Sequence, residues 1–404
     1  MGRVKLSVME TGILQKVNHY LNNGFYASVS TDDECDTAKE VLPGHASQTS
    51  EKVFLLLAGG TGGHIFPGLA VAEALQQRGF TIHWLGTKEG MEATLVPEHG
   101  FPVSFLSVKG VRGKGLKALL MAPWRILKST VQAISVLRKL KPVAVLGMGG
   151  FVAGPGSLAA YLLRIPLIIH EQNAVPGMTN RLAAPMAKKI LTGFPHILSG
   201  YKKTYYTGNP VRQMIQSGPP LYLHSDHGRL RILVLGGSRG ALIINQTMPK
   251  ALALLDNPPE VIHQCGSDHE TVTKKLYQDS GVMVKVIPFV NDMAKAYEWA
   301  DIVICRSGAL TVSELACAGK PSVLIPYPWH KDQQQLLNAK HLADNGAAII
   351  IEQKNLGSKK LAEVIKQISE DKSLLSSMHQ AAIRCAKPDA ATTIANICEM
   401  IAGK

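Results

Sequence analysis

The chain has 404 residues, of which 46% are hydrophobic, with 37 glycines and a formal net charge of +13. That length exceeds what one core usually fills, so two domains are expected, and the composition excludes a disordered or fibrous polypeptide. Charge is concentrated: between His99 and Ser225 sixteen lysines and arginines stand against a single acid, Glu171, and the rest of the chain sums to about −2. A field of that sign attracts nucleic acid, an anionic membrane surface or a phosphorylated substrate, and charge alone does not choose among them.

Residues 1–50 carry an acidic cluster (Asp32, Asp33, Glu34, Asp36), and Ile13, Leu14, Val17, Tyr20 and Leu21 fall on one helical face. Without a wider pattern they read as a disordered N-terminal extension, or as the product of a start codon placed too far upstream. Met1 to Ser30 lacks the continuous apolar run of a secretory signal. The six cysteines, Cys35, Cys265, Cys305, Cys317, Cys385 and Cys398, form no CxxC pair, as expected of reduced thiols in a cytoplasmic protein.

From Lys52 the ordered protein is expected to begin. VFLLLA reads as a buried strand running into GGTGGHIFPGLAVAEALQQRG, a strand, glycine loop and helix with His64 at the loop mouth. A dinucleotide fingerprint fits poorly, because Ile65 occupies the third glycine position and the following strand, TIHWLG, ends in no acid. The segment LLMAPWRILKSTVQAISVLRKL alternates apolar and basic residues around Trp124, which suits either an interfacial helix or an amphipathic helix with Trp124 in the core. The uncharged stretch from Pro142 to Leu163 is long enough to span a bilayer, but five glycines and Pro155 break it into strand, glycine loop and helix. Strand PLIIH then brings His170, Glu171 and Asn173 to the carboxyl end of a sheet, where ligands bind. The pair is not HExxH, so no zinc site is assigned.

A soft stretch from Gln216 to Gly228 is the expected linker. RILVLGG and SRGALIINQTMPKALALL restart the first pattern, followed by further strand and helix alternation. In ADIVICRSGALTVSELACAGKPSVLIPYPWHKDQQQ a buried strand turns at Ser307 and Gly308 into a helix expected over Thr311 to Ala318. Its N-terminus suits an anion, whereas Glu314, one turn in, repels phosphate yet is placed to grip a sugar diol. A merely solvated Glu314 is the plainer alternative.

The motifs GGTGGHIFPGLAVAEAL, GMGGFVAGPG, HEQN, GNPVR, GGSRGA, FVNDM, CRSGALTVSE and HKDQQQ, in this order from about Lys52 to the C-terminus, resemble the MurG family of bacterial peptidoglycan glycosyltransferases. The resemblance implies a GT-B architecture, α/β with two Rossmann-like doubly wound domains facing across a cleft. Residues 51–210 would form an acceptor and membrane-facing domain, 211–386 a donor domain, and helix 387–404 would pack back on the first. It implies an inverting transfer of N-acetylglucosamine from its UDP ester to an undecaprenyl-linked muramoyl-pentapeptide at the cytoplasmic face of the inner membrane. A peripheral protein touching anionic lipid is implied, with no nucleic-acid partner.

By the same resemblance Glu314 would bind ribose, Arg212 and Val290 would lie near uracil, and Ser238 would contact diphosphate. Ala309, Leu310, Thr311, Val312 and Ser313 would hold phosphate, with Gln334 and Gln335 on the sugar hydroxyls. Thr61, Gly62, Gly63, His64 and Asn173 would line the cleft. From its own chemistry His64, an imidazole following a glycine loop at the end of the first strand, reads as the general base or as positioning the acceptor hydroxyl, or else as a phosphate contact only, with Asn173 as a second catalytic candidate. Outside residues 1–50 there is no Asp-x-Asp, so no metal or other cofactor is expected. Two other readings share the donor motifs: a glycolipid transferase with another acceptor, which would differ in the first-domain cleft, and a nucleotide-sugar sensor, against which the pair His64 and Asn173 counts.

Overall fold

The computed structural model describes residues 52–107, 122–212, 215, 228–237, 240–329 and 332–403. In the first half the elements run β1 (Val53–Ala58), α1 (Gly62–Gln76), β2 (Thr81–Gly86), α2 (Glu92–Glu98), β3 (Val103–Phe105), α3 (Ala122–Leu140), β4 (Ala144–Gly149), α4 (Ala153–Leu162), β5 (Leu167–Glu171), α5 (Met178–Ala183), β6 (Lys189–Thr192) and β7 (Thr204–Tyr206). The second half runs β8 (Arg231–Leu235), α6 (Leu242–Leu252), β9 (Glu260–Gln264), α7 (Glu270–Asp279), β10 (Lys285–Ile287), α8 (Met293–Trp299), β11 (Ile302–Cys305), α9 (Ala309–Cys317), β12 (Ser322–Leu324), α10 (Gln334–Ala343) and β13 (Ala348–Ile350). Helices α11 (Ser358–Glu370), α12 (Lys372–Cys385) and α13 (Ala390–Ile401) close the chain.

Among the described residues the strands form two parallel sheets, one ordered β3-β2-β1-β4-β5-β6-β7 and one β10-β9-β8-β11-β12-β13. Each has helices on both faces, which is why its strands read as unbroken apolar runs. On β1 the side chains of Phe54, Leu56 and Ala58 enter the core under α1, while Leu55 and Leu57 enter the opposite core with Ala133 and Leu137 of α3. In the second sheet Leu233 and Leu235 face one core and Ile232 and Val234 the other. This is the expected pair of Rossmann-like units.

Strand order reverses between β1 and β4 in the first sheet, and between β8 and β11 in the second. At such switch points the loops leaving adjacent strands diverge to opposite faces and open a crevice. The chain crosses between the halves twice. After α12, whose Ala381 and Ala382 belong to the second core, α13 returns to the first sheet, burying Ile394, Ala395 and Cys398 beneath α1. Arg78 ties the return down, 2.6 Å from Asn396 Oδ1 and 3.5 Å from Glu399. The expected linker lies outside the described residues except for Gly228.

Candidate functional site

The first half contributes two glycine loops and a buried carboxylate. Glu92, fully buried, accepts from the Gly60 amide (3.1 Å) and from the Thr87 amide and hydroxyl (2.8 and 2.7 Å), and so pins the loop after β1. Gly150 of the second loop has φ +82°, and a Cβ there would lie 2.2 Å from the Gly59 carbonyl oxygen, so only glycine lets the two loops touch. Thr61 precedes α1 in extended conformation without capping it, and Thr61 and Gly63 are exposed beside the half-buried Gly62 and His64. The His64 ring packs against Gly149, and its Nδ1 lies 3.0 Å from Gln172 Oε1.

The loop after β5 is shaped by Glu171. One carboxylate oxygen accepts from the Asn173 amide (3.0 Å) and side chain (3.3 Å), the other from the Gly177 amide and Asn180 Nδ2 (both 2.9 Å). Glu171 is thus a loop closer, and no group of three His, Cys, Asp or Glu among the described residues is placed to hold a metal ion. His170, fully buried, is held down to a pKa of about 4 by loss of solvent and stays neutral.

In the second half α9 begins at Ala309, two residues before the expected start, because Gly308 is already its extended N-cap. No side chain caps it, and among the described residues the amides of Ala309, Leu310 and Thr311 have no hydrogen-bond acceptor, as the first turn of a helix leaves them. Val312 is buried in the core, and Ser313 Oγ donates to the Ala309 carbonyl (3.0 Å). Glu314, half-buried on the next turn, accepts at Oε2 from the buried Tyr297 hydroxyl (3.1 Å). Burial raises its pKa, and Arg212 and the Tyr297 bond pull in the other direction without prevailing. Arg212 is exposed, with its guanidinium 4.7 Å over the Phe66 ring of α1. Val290 is packed into the second core. Gln264 holds the third glycine loop, accepting from the Gly237 amide (3.0 Å) and donating to the Gly237 carbonyl (2.9 Å). Ser238 lies outside the described residues, as do His330 and Lys331. Gln335 Oε1 accepts from the Tyr327 amide (2.9 Å), and Gln334 Nε2 donates to the Val175 carbonyl (3.4 Å).

Among the described residues, the side chains of Asn209, Asn338 and Gln334 hydrogen-bond between the halves at this crevice. Asn209 Nδ2 donates both to the Gln172 carbonyl and to Ser313 Oγ, at 3.0 Å each. Asn338 Oδ1 accepts from the Ala174 amide (2.8 Å), while its Nδ2 donates to the Ser307 carbonyl (3.3 Å) and approaches Asn173 Oδ1 (3.5 Å). Gln334 supplies the third through Val175. The structure therefore gathers His64, Asn173, Gln334 and the Glu314 helix at one crevice. It adds Glu92, Gln172, Asn209, Tyr297 and Asn338, none singled out from sequence because, apart from the nearby Glu92–Thr87 bonds, their partners are distant in the chain. Asn209 lies inside the GNPVR motif and Gln172 inside HEQN, the signals that could have found them.

A second surface lies on the first half. Trp124, Leu127 and Val131 share one face of α3, and Trp124 is 64% exposed, so it is not a core residue. Arg125 and Lys128 are exposed beside them, and the neighbouring α4 and α5 add exposed Tyr161, Leu162, Met178, Arg181 and Leu182.

Residues 54–192 match the glycosyltransferase family 28 N-terminal domain and residues 231–394 the family 28 C-terminal domain. The chain is 48% identical, over 87% of its length and 97% of the relative's, to the UDP-N-acetylglucosamine–N-acetylmuramyl-(pentapeptide) pyrophosphoryl-undecaprenol N-acetylglucosamine transferase of Aeromonas hydrophila. It is 47% identical to the protein of that name from Marinobacter nauticus, over 85% of this chain and 96% of the other. The crystal structure of MurG from Acinetobacter baumannii superposes with a TM-score of 0.75 at 39% identity, covering 86% of this chain and 99% of that one. With both halves matched in order and relatives aligned along nearly their whole length, the chain belongs to glycosyltransferase family 28.

Proposed function

We propose that the chain moves N-acetylglucosamine, with inversion, from UDP-N-acetylglucosamine to the muramoyl 4-hydroxyl of undecaprenyl-diphospho-N-acetylmuramoyl-pentapeptide, making lipid II from lipid I in peptidoglycan synthesis. The observation that carries this reading is the double hydrogen bond of Asn209, which connects the helix bearing Glu314 to the residue holding His64. A nucleotide seated on that helix extends its sugar toward His64 across one side chain.

In this reading residues 211–386 bind the donor, and residues 51–210 with helix 387–404 bind the acceptor. Glu314 takes the ribose hydroxyls, Arg212 and Val290 lie beside uracil, and Ser238 meets the diphosphate. The amides at the start of α9 stabilise the charge of the departing UDP in the role a metal or other cofactor would otherwise fill. Gln334 Oε1 and Gln335 Nε2 remain for the sugar hydroxyls. Thr61, Gly62, Gly63 and Asn173 receive the acceptor diphosphate. His64 takes the proton of the muramoyl hydroxyl as its oxygen bonds to the sugar C1, and the C1–O bond to UDP breaks with its electron pair leaving on the diphosphate.

The exposed face of α3, α4 and α5 docks on an anionic membrane from the cytoplasmic side. No helix among the described residues is long and apolar enough to cross a membrane. Transfer of labelled N-acetylglucosamine to lipid I tests the function directly. Transfer only to another lipid would reassign the acceptor, and UDP binding without transfer would make the chain a binding protein. His64→Ala should lower kcat by about 10² to 10⁴ with UDP affinity little changed. Near-normal kcat at saturating acceptor would remove His64 from the chemistry.

A further inference from the structure

Behind His64 runs a line of buried polar groups that the transfer chemistry does not itself use. His64 Nδ1 is 3.0 Å from Gln172 Oε1, Gln172 Nε2 is 3.1 Å from His170 Nδ1 and 3.3 Å from the His170 carbonyl, and His170 Nε2 is 3.0 Å from the Gly208 carbonyl. Gln172 and His170 are both buried. Each proton in this line can be placed from its far end. A carbonyl oxygen only accepts, so His170 Nε2 carries a proton that it donates to Gly208. Burial keeps His170 neutral, so its Nδ1 holds a lone pair and must accept. The group facing it is therefore the Gln172 amide nitrogen, an orientation the His170 carbonyl beside the same nitrogen enforces independently. That leaves Gln172 Oε1, which can only accept, against His64 Nδ1. His64 Nδ1 must carry the proton.

We propose that Gln172 and His170 are positioning residues that hold His64 in its Nδ1–H tautomer and reserve Nε2 as the lone-pair nitrogen for the acceptor hydroxyl. Nε2 has no hydrogen-bond partner among the described residues, whereas Nδ1 is turned inward. The ring has little freedom to exchange them: a Cβ on Gly149 would stand 3.0 Å from Cε1 and 3.1 Å from Nδ1, so backbone lies against that side. The backbone of Gln172 is fixed as well, its carbonyl accepting from Asn209. When Nε2 takes a proton, the imidazolium keeps its Nδ1–H bond to a neutral amide, and no proton moves along the line. The line orients and does not relay. Its catalytic meaning rests on His64 being the base, but the tautomer itself does not.

The test is long-range ¹H–¹⁵N NMR of the full chain labelled with [¹⁵N]histidine, above the pH at which imidazoles protonate, with His64 assigned by its absence in His64→Gln. The expected signal is an Nδ1–H imidazole. Gln172→Leu removes the acceptor, frees the proton to sit on either nitrogen, and should abolish that signature while lowering kcat about 10- to 100-fold with UDP affinity unchanged. Gln172→Glu retains an acceptor for Nδ1–H and should restore the tautomer and part of the kcat. A wild-type His64 carrying its proton on Nε2 would overturn the proposal, even if the leucine variant does not fold. So would Gln172→Leu with the Nδ1–H signature and full kcat. Normal turnover in His64→Ala would instead sink the base assignment and leave the tautomer standing.

Discussion

Replacing Glu314 by alanine tests the donor pocket through a carboxylate whose burial and hydrogen-bond partner the structure defines. The carboxylate is half-buried, its pKa is raised by loss of solvent, and one oxygen is held by the Tyr297 hydroxyl at 3.1 Å. Much of the cost of stripping water from it is therefore met in the fold, before any ligand arrives, and a ribose diol meets a preorganised acceptor. Losing one charge-assisted hydrogen bond costs about 1.5–3 kcal/mol, which is about 10- to 150-fold in UDP affinity. The apo protein should respond differently. Glu314→Ala leaves the Tyr297 hydroxyl without an acceptor, at about 1–3 kcal/mol, but also removes a desolvated charge, so stability changes by less than binding does. Glu314→Gln keeps an acceptor for Tyr297 and should lose less affinity than alanine. Calorimetric titration with UDP and with 2′-deoxy-UDP completes a cycle: the wild type should lose affinity for the deoxy ligand, and Glu314→Ala should not distinguish the two. A folded alanine variant that binds UDP as tightly as wild type, or that still discriminates against the deoxy ligand in full, would refute the ribose assignment.

Binding to anionic vesicles should weaken as salt is raised, since each basic contact near the surface contributes about 1 kcal/mol and is screened, and replacing Trp124 and Leu127 by serine should weaken it further. Co-sedimentation indifferent to lipid charge and salt would contradict this. Acidification should destabilise the fold: burial lowers the pKa of His170 to about 4 and of His263 to about 3, so the unfolded chain takes up protons first as pH drops below ~6.5. The stability each neutral histidine contributes above that pH is lost at about 1.4 kcal/mol per pH unit toward those values. Denaturant unfolding at pH 7 and pH 5 reads the change, and greater stability at pH 5 would reverse the argument. Deleting residues 1–50 should preserve transfer, because the matched family domains begin at residue 54; an inactive, folded truncation would overturn that.

What could be read from sequence was local. Apolar runs ending at glycine loops located β1, β4, β8 and β11, and the same loops mark where strand order reverses. Glu314 stood out because a carboxylate near the start of an anion-binding helix is unfavourable without a ligand to justify it. Trp124 could not be decided, since an amphipathic helix offers two faces and only the packing of Ala133 and Leu137 onto the sheet shows which is turned inward. The remaining site residues depend on distant partners. Gln172 acquires meaning from His64, 108 positions away, and Asn338 from Ala174, 164 positions away. A glutamine or asparagine pattern carries no mark of such a partner.

The return of α13 to the first sheet also governs how the chain matures. Ile394, Ala395 and Cys398 complete a core whose other buried members, from Phe54 to Leu191, all emerge earlier in the order of synthesis, before the second half is made. Until the last helix arrives, the face of β1, α1 and β4 that it covers stays open to solvent. The first half is thus obliged to wait, apolar surface exposed, while the second is made, and a chain interrupted after α12 would be left with a persistent sticky face for chaperones and proteases to recognise.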